Sequence, residues 1–222
     1  MPHEGKIQAV LLDWDGTLLD SGEADTAAYL EMFRAMGIGW GREELAVHYS
    51  PDWYNVYRAA KLDQARWDEA DRLWRQAYAR HRPQLVTGAR EVLGRLRAQY
   101  RLGLVTSGDA DRVNTQLQRF ELTAMFATRV CQQDSLRPKP NPEPLLTALE
   151  RLGLPAASAV YVGDAPEDME MARRAGTRAV GVLSSFPTAE RLRASQPDAL
   201  LDSLIELPGL LQGWAYPSPK NC

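Results

Sequence analysis

The feature that most constrains this chain is a set of short, mostly apolar segments, rich in β-branched residues and too brief for helices. Residues 7–14 read IQAVLLDW and then break at Asp15, Gly16 and Thr17. A strand buried on both faces has this character, and such strands occur in parallel sheets covered by helices on either side. The signal returns at residues 101–106 (RLGLVT), 127–131 (ATRVC), 159–162 (AVYV) and 178–182 (RAVGV). Helical spacing fills residues 89–100, 111–120, 142–152 and 166–175 between them, with Pro142 and Pro166 where a first helical turn begins. This alternation predicts an α/β fold built on a doubly wound, Rossmann-like parallel sheet.

Residues 20–88 carry no strand signal. Trp67, Ala70, Trp74, Ala77 and Tyr78 fall at helical spacing, and Ala27, Leu30, Phe33 and Met36 lead to a stop at Gly37. The segment reads as an inserted α-helical cap whose aromatic residues pack against one another. The core is then residues 1–19 and 89–211. Residues 212–222 (QGWAYPSPKNC), aperiodic and with two prolines, read as a loose tail. One core plus one insertion suits a length of 222 residues.

A net charge of −3 argues against a nucleic-acid partner, which calls for a clustered basic surface. The sequence has neither a secretory-signal pattern at its start nor a stretch near the ~20 apolar residues of a membrane span, so the expected location is the cytoplasm, without a membrane partner. Cys131 and Cys222 read as free thiols, and His3, His48 and His81 are too scattered for a zinc site.

Four places carry chemistry. Asp13 and Asp15 stand at the exit of the first strand, where open α/β sheets bind ligands. Two close carboxylates repel unless a cation or a shared proton relieves them, and magnesium takes one or two carboxylates while leaving room for water and phosphate. Alone, the pair also fits solvated surface acids. Asp164 follows the strand at 159–162, with Asp168 four residues on; alone it also fits a helix cap before Pro166. Thr106 and Ser107 end the strand at 101–106 ahead of Gly108, an arrangement that suits a phosphate oxygen or a plain turn. Lys139 sits between Pro138 and Pro140 and is one of four lysines among 26 cationic residues, so a compact ammonium at a held position stands out.

Taken in order, DWDGTLLDS, TSG, RPKPNP and GDAPED resemble the four motifs of the haloacid dehalogenase (HAD) superfamily. The closing DSLIELPGLL resembles its phosphoglycolate-phosphatase-like members. The resemblance implies Asp13 as a nucleophile that forms an aspartyl-phosphate and Asp15 as the acid and base. It implies Mg2+ held by the Asp13 side chain, the Asp15 backbone carbonyl and the Asp164 side chain. Thr106 or Ser107 would bind the transferring phosphoryl group, Lys139 would steady its charge, and Asp168 would support the metal or the lysine.

The expected activity is therefore a magnesium-dependent phosphatase acting on a small phosphorylated metabolite, with phosphoglycolate first. A sugar phosphomutase, a pyrophosphatase and a nucleotidase are alternatives. A dehalogenase has no use for Asp15 or Asp164, and a phosphonate-hydrolysing relative lacks the second acid. A non-catalytic chain that kept only the fold would show gaps in the acidic set, and Asp13, Asp15, Lys139 and Asp164 are all present. Within residues 48–62, Trp53, Tyr54, Arg58 and Lys61 are the candidates for contacts that choose the substrate, each taken alone reading first as packing or surface, and Gly88 is expected to form part of a hinge for cap closure.

Overall fold

The computed structural model describes residues 6–215. In chain order its strands are β1 (Ala9–Leu12), β2 (Leu19–Asp20), β3 (Gln84–Leu85), β4 (Arg101–Val105), β5 (Thr128–Val130), β6 (Ala159–Gly163), β7 (Arg178–Val182) and β8 (Ala199–Leu201). Its helices are α1 (Gly22–Met36), α2 (Arg42–His48), α3 (Trp53–Ala59), α4 (Trp67–Tyr78), α5 (Ala89–Arg97), α6 (Ala110–Arg119), α7 (Glu143–Leu152), α8 (Pro166–Ala175), α9 (Ala189–Ala194) and α10 (Leu207–Ala215).

Six strands form one parallel sheet in the order β5-β4-β1-β6-β7-β8. Winding therefore reverses at β1, and in open parallel sheets ligands bind outside the carboxyl ends at that reversal. The register pairs Leu12 with both Leu104 and Val162, so β1, β4 and β6 end side by side.

Alternate residues along each strand face opposite helix layers. Val10, Leu12, Leu102, Leu104, Val160 and Val162 pack with residues of α5, α6 and α10. Ala9, Leu11, Val105 and Tyr161 pack with α7, α8 and α9. Both faces are covered, which is why these strands read as continuous apolar runs.

The chain between β2 and β3 is helical, as expected, and α1 packs along α4 around Tyr29, Met32, Phe33, Val56, Tyr57 and Ala70. Gly37 ends α1 in the left-handed conformation the stop signal requires. β2 and β3 pair antiparallel and tie the two ends of the insertion together, an element of two residues per strand with no periodicity to read. The edge strand β8 is likewise outside the expected set: only Leu201 of its three residues is buried, so it lacks the mark of a strand covered on both faces. At the other end, α10 continues to Ala215, four residues into the segment read as a loose tail. Trp214 packs on the core with the Arg178 guanidinium 4.9 Å from its ring centre, and residues 216–222, Cys222 among them, lie outside the described residues, as does His3. Among the described residues no helix is long and apolar enough to cross a membrane.

Candidate active site

Three strand ends and one loop converge. Asp13 follows β1, and its backbone amide donates to the Val162 carbonyl of β6 at 2.9 Å, so the neighbouring strand aims it. Asp164 follows β6 and Thr106 follows β4. Lys139 comes from the loop ahead of α7. The carboxylates of Asp13, Asp164 and Asp168 lie within 4.8 Å of one another, and all three residues are buried.

Lys139 is only 3% exposed and its ammonium has three acceptors. It donates to Asp13 Oδ1 at 3.0 Å, to Asp168 Oδ1 at 2.8 Å and to the Tyr161 hydroxyl at 2.7 Å. Three N–H bonds meet three oxygens, so the position of the charge is set on every side. The Tyr161 hydroxyl itself donates to the Val105 carbonyl at 2.8 Å. Burial pulls the lysine toward neutrality, but Asp13 and Asp168 outweigh it and hold the ammonium above its usual range. Asp168 accepts the Ala165 amide on its other oxygen at 3.1 Å, and its carboxylate serves the lysine.

Asp13 responds in the opposite direction. Burial pushes it up to about 7, Lys139 pulling against that and Asp168 adding to it. Asp164 is raised well above the usual range, chiefly by burial and then by Asp168 and Asp13; Ser184 Oγ donates to its Oδ2 at 2.7 Å. Both acids are driven toward protonation chiefly by burial and in each case further by Asp168, so a bound cation would favour their charged forms.

The residues present fit a magnesium ion there. Asp13 and Asp164 offer hard oxygen donors on adjacent strand ends, and the backbone between them is shaped for close approach. Gly16 has φ +77, and a Cβ built on it would stand 2.0 Å from Asp164 Oδ2. Only glycine lets the turn after β1 pass this close to the second acid.

The Asp15 side chain points elsewhere. It accepts two bonds from the Arg112 guanidinium, at 3.0 and 2.6 Å, and one from Ser21 Oγ at 2.8 Å. Burial works to raise it, yet Arg112 and Ser21 overcome burial and hold its carboxyl below the usual range. The clustered carboxylates are thus Asp13, Asp164 and Asp168, and of the expected metal set Asp15 has only its backbone carbonyl uncommitted to Arg112.

Thr106 is buried and its hydroxyl accepts the Gly108 amide at 3.1 Å, which folds the loop back over the end of β4. Ser107 is half-buried. Both line the same cavity as Asp13, Asp15 and Asp164, a space of about 470 Å³ between the sheet and the helical insertion. Tyr29, Tyr49, Trp53, Trp74 and Tyr78 close it from the insertion side. Among the four candidates for substrate contacts, Trp53 lines this cavity. Tyr54 stacks on Trp67 with ring centres 4.7 Å apart, Arg58 lies over the same Trp67 ring, and Lys61 sits at a turn with φ 54.

Sequence reading did not single out Arg112, Tyr161 or Ser184. Tyr161 had a signal: a hydroxyl inside the buried run AVYV needs a partner. Arg112 had none, because its partner lies 97 residues away.

Residues 10–182 match the model of the family described as haloacid dehalogenase-like hydrolase. The chain is 33% identical over 207 residues to pyrophosphatase PpaX of Bacillus velezensis, covering 91% of this chain and 95% of that one. Among solved structures, CbbY from Rhodobacter sphaeroides in complex with phosphate superposes with a TM-score of 0.77 at 25% identity, covering 90% of this chain and 96% of that one. A predicted phosphoglycolate phosphatase from Haemophilus somnus gives 0.80 at 22% identity, covering 93% and 99%.

Proposed function

The chain belongs to the haloacid dehalogenase-like hydrolases, and on that premise we propose that it is a magnesium-dependent cytoplasmic phosphatase that attacks phosphorus through Asp13. The observation that carries this reading is the buried contact of Asp13 with Lys139, beside Asp164 and Asp168 at three adjoining strand ends and loops. The Asp13 oxygen attacks the phosphoryl group and the alcohol or phosphate of the substrate leaves, giving an aspartyl-phosphate on Asp13. Lys139, fixed by three acceptors, balances the charge of the carboxylate and of the transferring oxygens without having to reorient. Thr106 and Ser107 hold the phosphoryl oxygens at the end of β4. Asp15, taking up a proton from solvent as it turns from Arg112, gives it to the leaving oxygen, then takes one from the water that hydrolyses the intermediate. Magnesium would be held by Asp13, Asp164 and the Asp15 carbonyl, and when bound would supply charge neutralisation at the phosphate.

The substrate is a small phosphate ester, with phosphoglycolate the first choice. A second reading, inorganic pyrophosphate, is favoured by the PpaX relative, which aligns over nearly its whole length. The test is phosphate release from a panel of phosphoglycolate, pyrophosphate, sugar phosphates and nucleotides, with and without magnesium. Asp13→Asn is expected to lower turnover by about 1,000-fold or more while the fold persists. An Asp13→Asn protein as active as the parent would overturn the covalent mechanism.

A further inference from the structure

Arg112 occupies a place that the reaction above does not use. It enters the cavity from the first turn of α6 and grips the Asp15 carboxylate with both nitrogens of its fork. The guanidinium is buried enough to need a partner, at 20% side-chain exposure, and open enough to meet a ligand.

The other cations of the cavity have different commitments. Arg75 pairs with Asp109 at 2.9 Å, Arg119 donates to the Pro83 carbonyl at 3.1 Å and Arg82 is exposed at the rim, while Lys139, outside this lining, is bound to Asp13 and Asp168. Arg112 alone among them is paired with the residue that, in the proposed mechanism, must touch the leaving group.

Its position has supports besides Asp15. The Tyr78 ring lies beneath the guanidinium carbon at 5.1 Å, and Gln116 Oε1 accepts from it at 3.4 Å. Gln116 is fixed in turn by the buried Trp14 indole at 2.8 Å. Ring and amide would still hold the fork were Asp15 to turn toward a leaving oxygen. That turn strips Arg112 of its counter-charge in a partly desolvated site, a penalty that a second anion on the substrate removes.

We propose that Arg112 is a specificity-determining residue that receives a second anionic group, carboxylate or phosphate, borne on the leaving group a few bonds from the bridging oxygen. The inference rests on the phosphatase reading and narrows its substrate class. Substrates with a neutral leaving group leave the fork unpaired and are discriminated against, because a site built around a buried charge rejects the analogue that lacks the matching group. Since Asp15 and Arg112 are in contact, the leaving group is short, as in phosphoglycolate or pyrophosphate.

The experiment compares three substrates with magnesium present: 2-phosphoglycolate, its neutral amide 2-phosphoglycolamide, and pyrophosphate. Each is assayed with the parent, Arg112→Gln and Arg112→Lys. The quantity read is the ratio of kcat/KM for phosphoglycolate to that for its amide, taken within each protein. A poorly folded preparation lowers both rates alike and leaves this ratio intact. The parent is expected to prefer the anionic substrates. The ratio should fall about tenfold or more in Arg112→Gln, chiefly through KM, and less in Arg112→Lys, which keeps a charge but loses the fork. The faster of phosphoglycolate and pyrophosphate in the parent identifies the anion. A parent without preference, or a ratio unchanged in both variants while phosphate is still released, overturns the inference and leaves the phosphatase reading standing. A parent that releases phosphate from none of the three but does so from a sugar phosphate or nucleotide overturns the inference alone, and one inactive on every member of that wider panel sinks both.

Discussion

Lys139 shows how much one side chain is asked to do. Its ammonium is the counter-charge of two buried carboxylates and the hydrogen-bond donor to a buried hydroxyl at once. Replacement by an uncharged chain of similar length leaves Asp13 and Asp168 facing each other without compensation. Lys139→Met is therefore expected to lower the stability of the metal-free protein by about 3 kcal/mol, as removal of one partner of a buried ion pair does. For a chain of this size that is a fall of about 6–12 °C in Tm, which a thermal melt in chelator would read. A melt unchanged by the substitution would mean that the two acids are neutral without the lysine. The prolines around Lys139 made it visible in the sequence. Its three partners lie 126, 29 and 22 residues away along the chain, and no local pattern announces them.

At the scale of elements, the turn after β1 is the critical joint. It brings the chain out of the sheet, places Asp13 and Asp15 two residues apart on different partners, and passes against Asp164 through a glycine that only a positive φ can seat. Gly16→Ala is expected to cost about 1–3 kcal/mol from the left-handed backbone alone. The added methyl also has to displace the Asp164 carboxylate. Denaturant unfolding should show the stability loss, and calorimetric titration should show weakened magnesium binding, whereas retained stability with normal binding would disprove the close fit. The elements themselves were legible where burial leaves a repeating mark. The segments at 166–175 and 178–182 coincide with α8 and β7, because one amphipathic stripe and one apolar run each span the whole element. The helix expected from Pro142 begins at Glu143, with the proline as the residue before it. β2 and β3 have too few residues for any periodicity, and β8 lies at the sheet edge with only Leu201 buried.

Across the whole molecule, folding drives acids together and leaves a positive charge to be supplied. Asp13 has an ordinary value of 3.8 and is pushed up to about 7, chiefly by burial, so between these the folded form holds a proton that the unfolded form has lost. The sign follows directly: this contribution to stability is fully present below 3.8 and is lost as pH rises through about 7. Asp164 acts in the same direction. Magnesium binds only deprotonated carboxylates and stabilises whatever form it binds. The gain in Tm on adding magnesium is therefore expected to be larger at about pH 8 than at about pH 5.5. Equal gains at both would mean that the ion does not sit on these acids. What the sequence by itself determined is the alternation of strand and helix, the helical insertion and the identity of the residues at the strand ends, since burial on a regular element repeats at a spacing that neighbouring residues record. The tertiary structure alone decided which of those residues meet: strand order and register set Lys139 between Asp13 and Asp168 and turned Asp15 toward Arg112, because contacts across a sheet depend on distances through space that spacing along the chain does not encode.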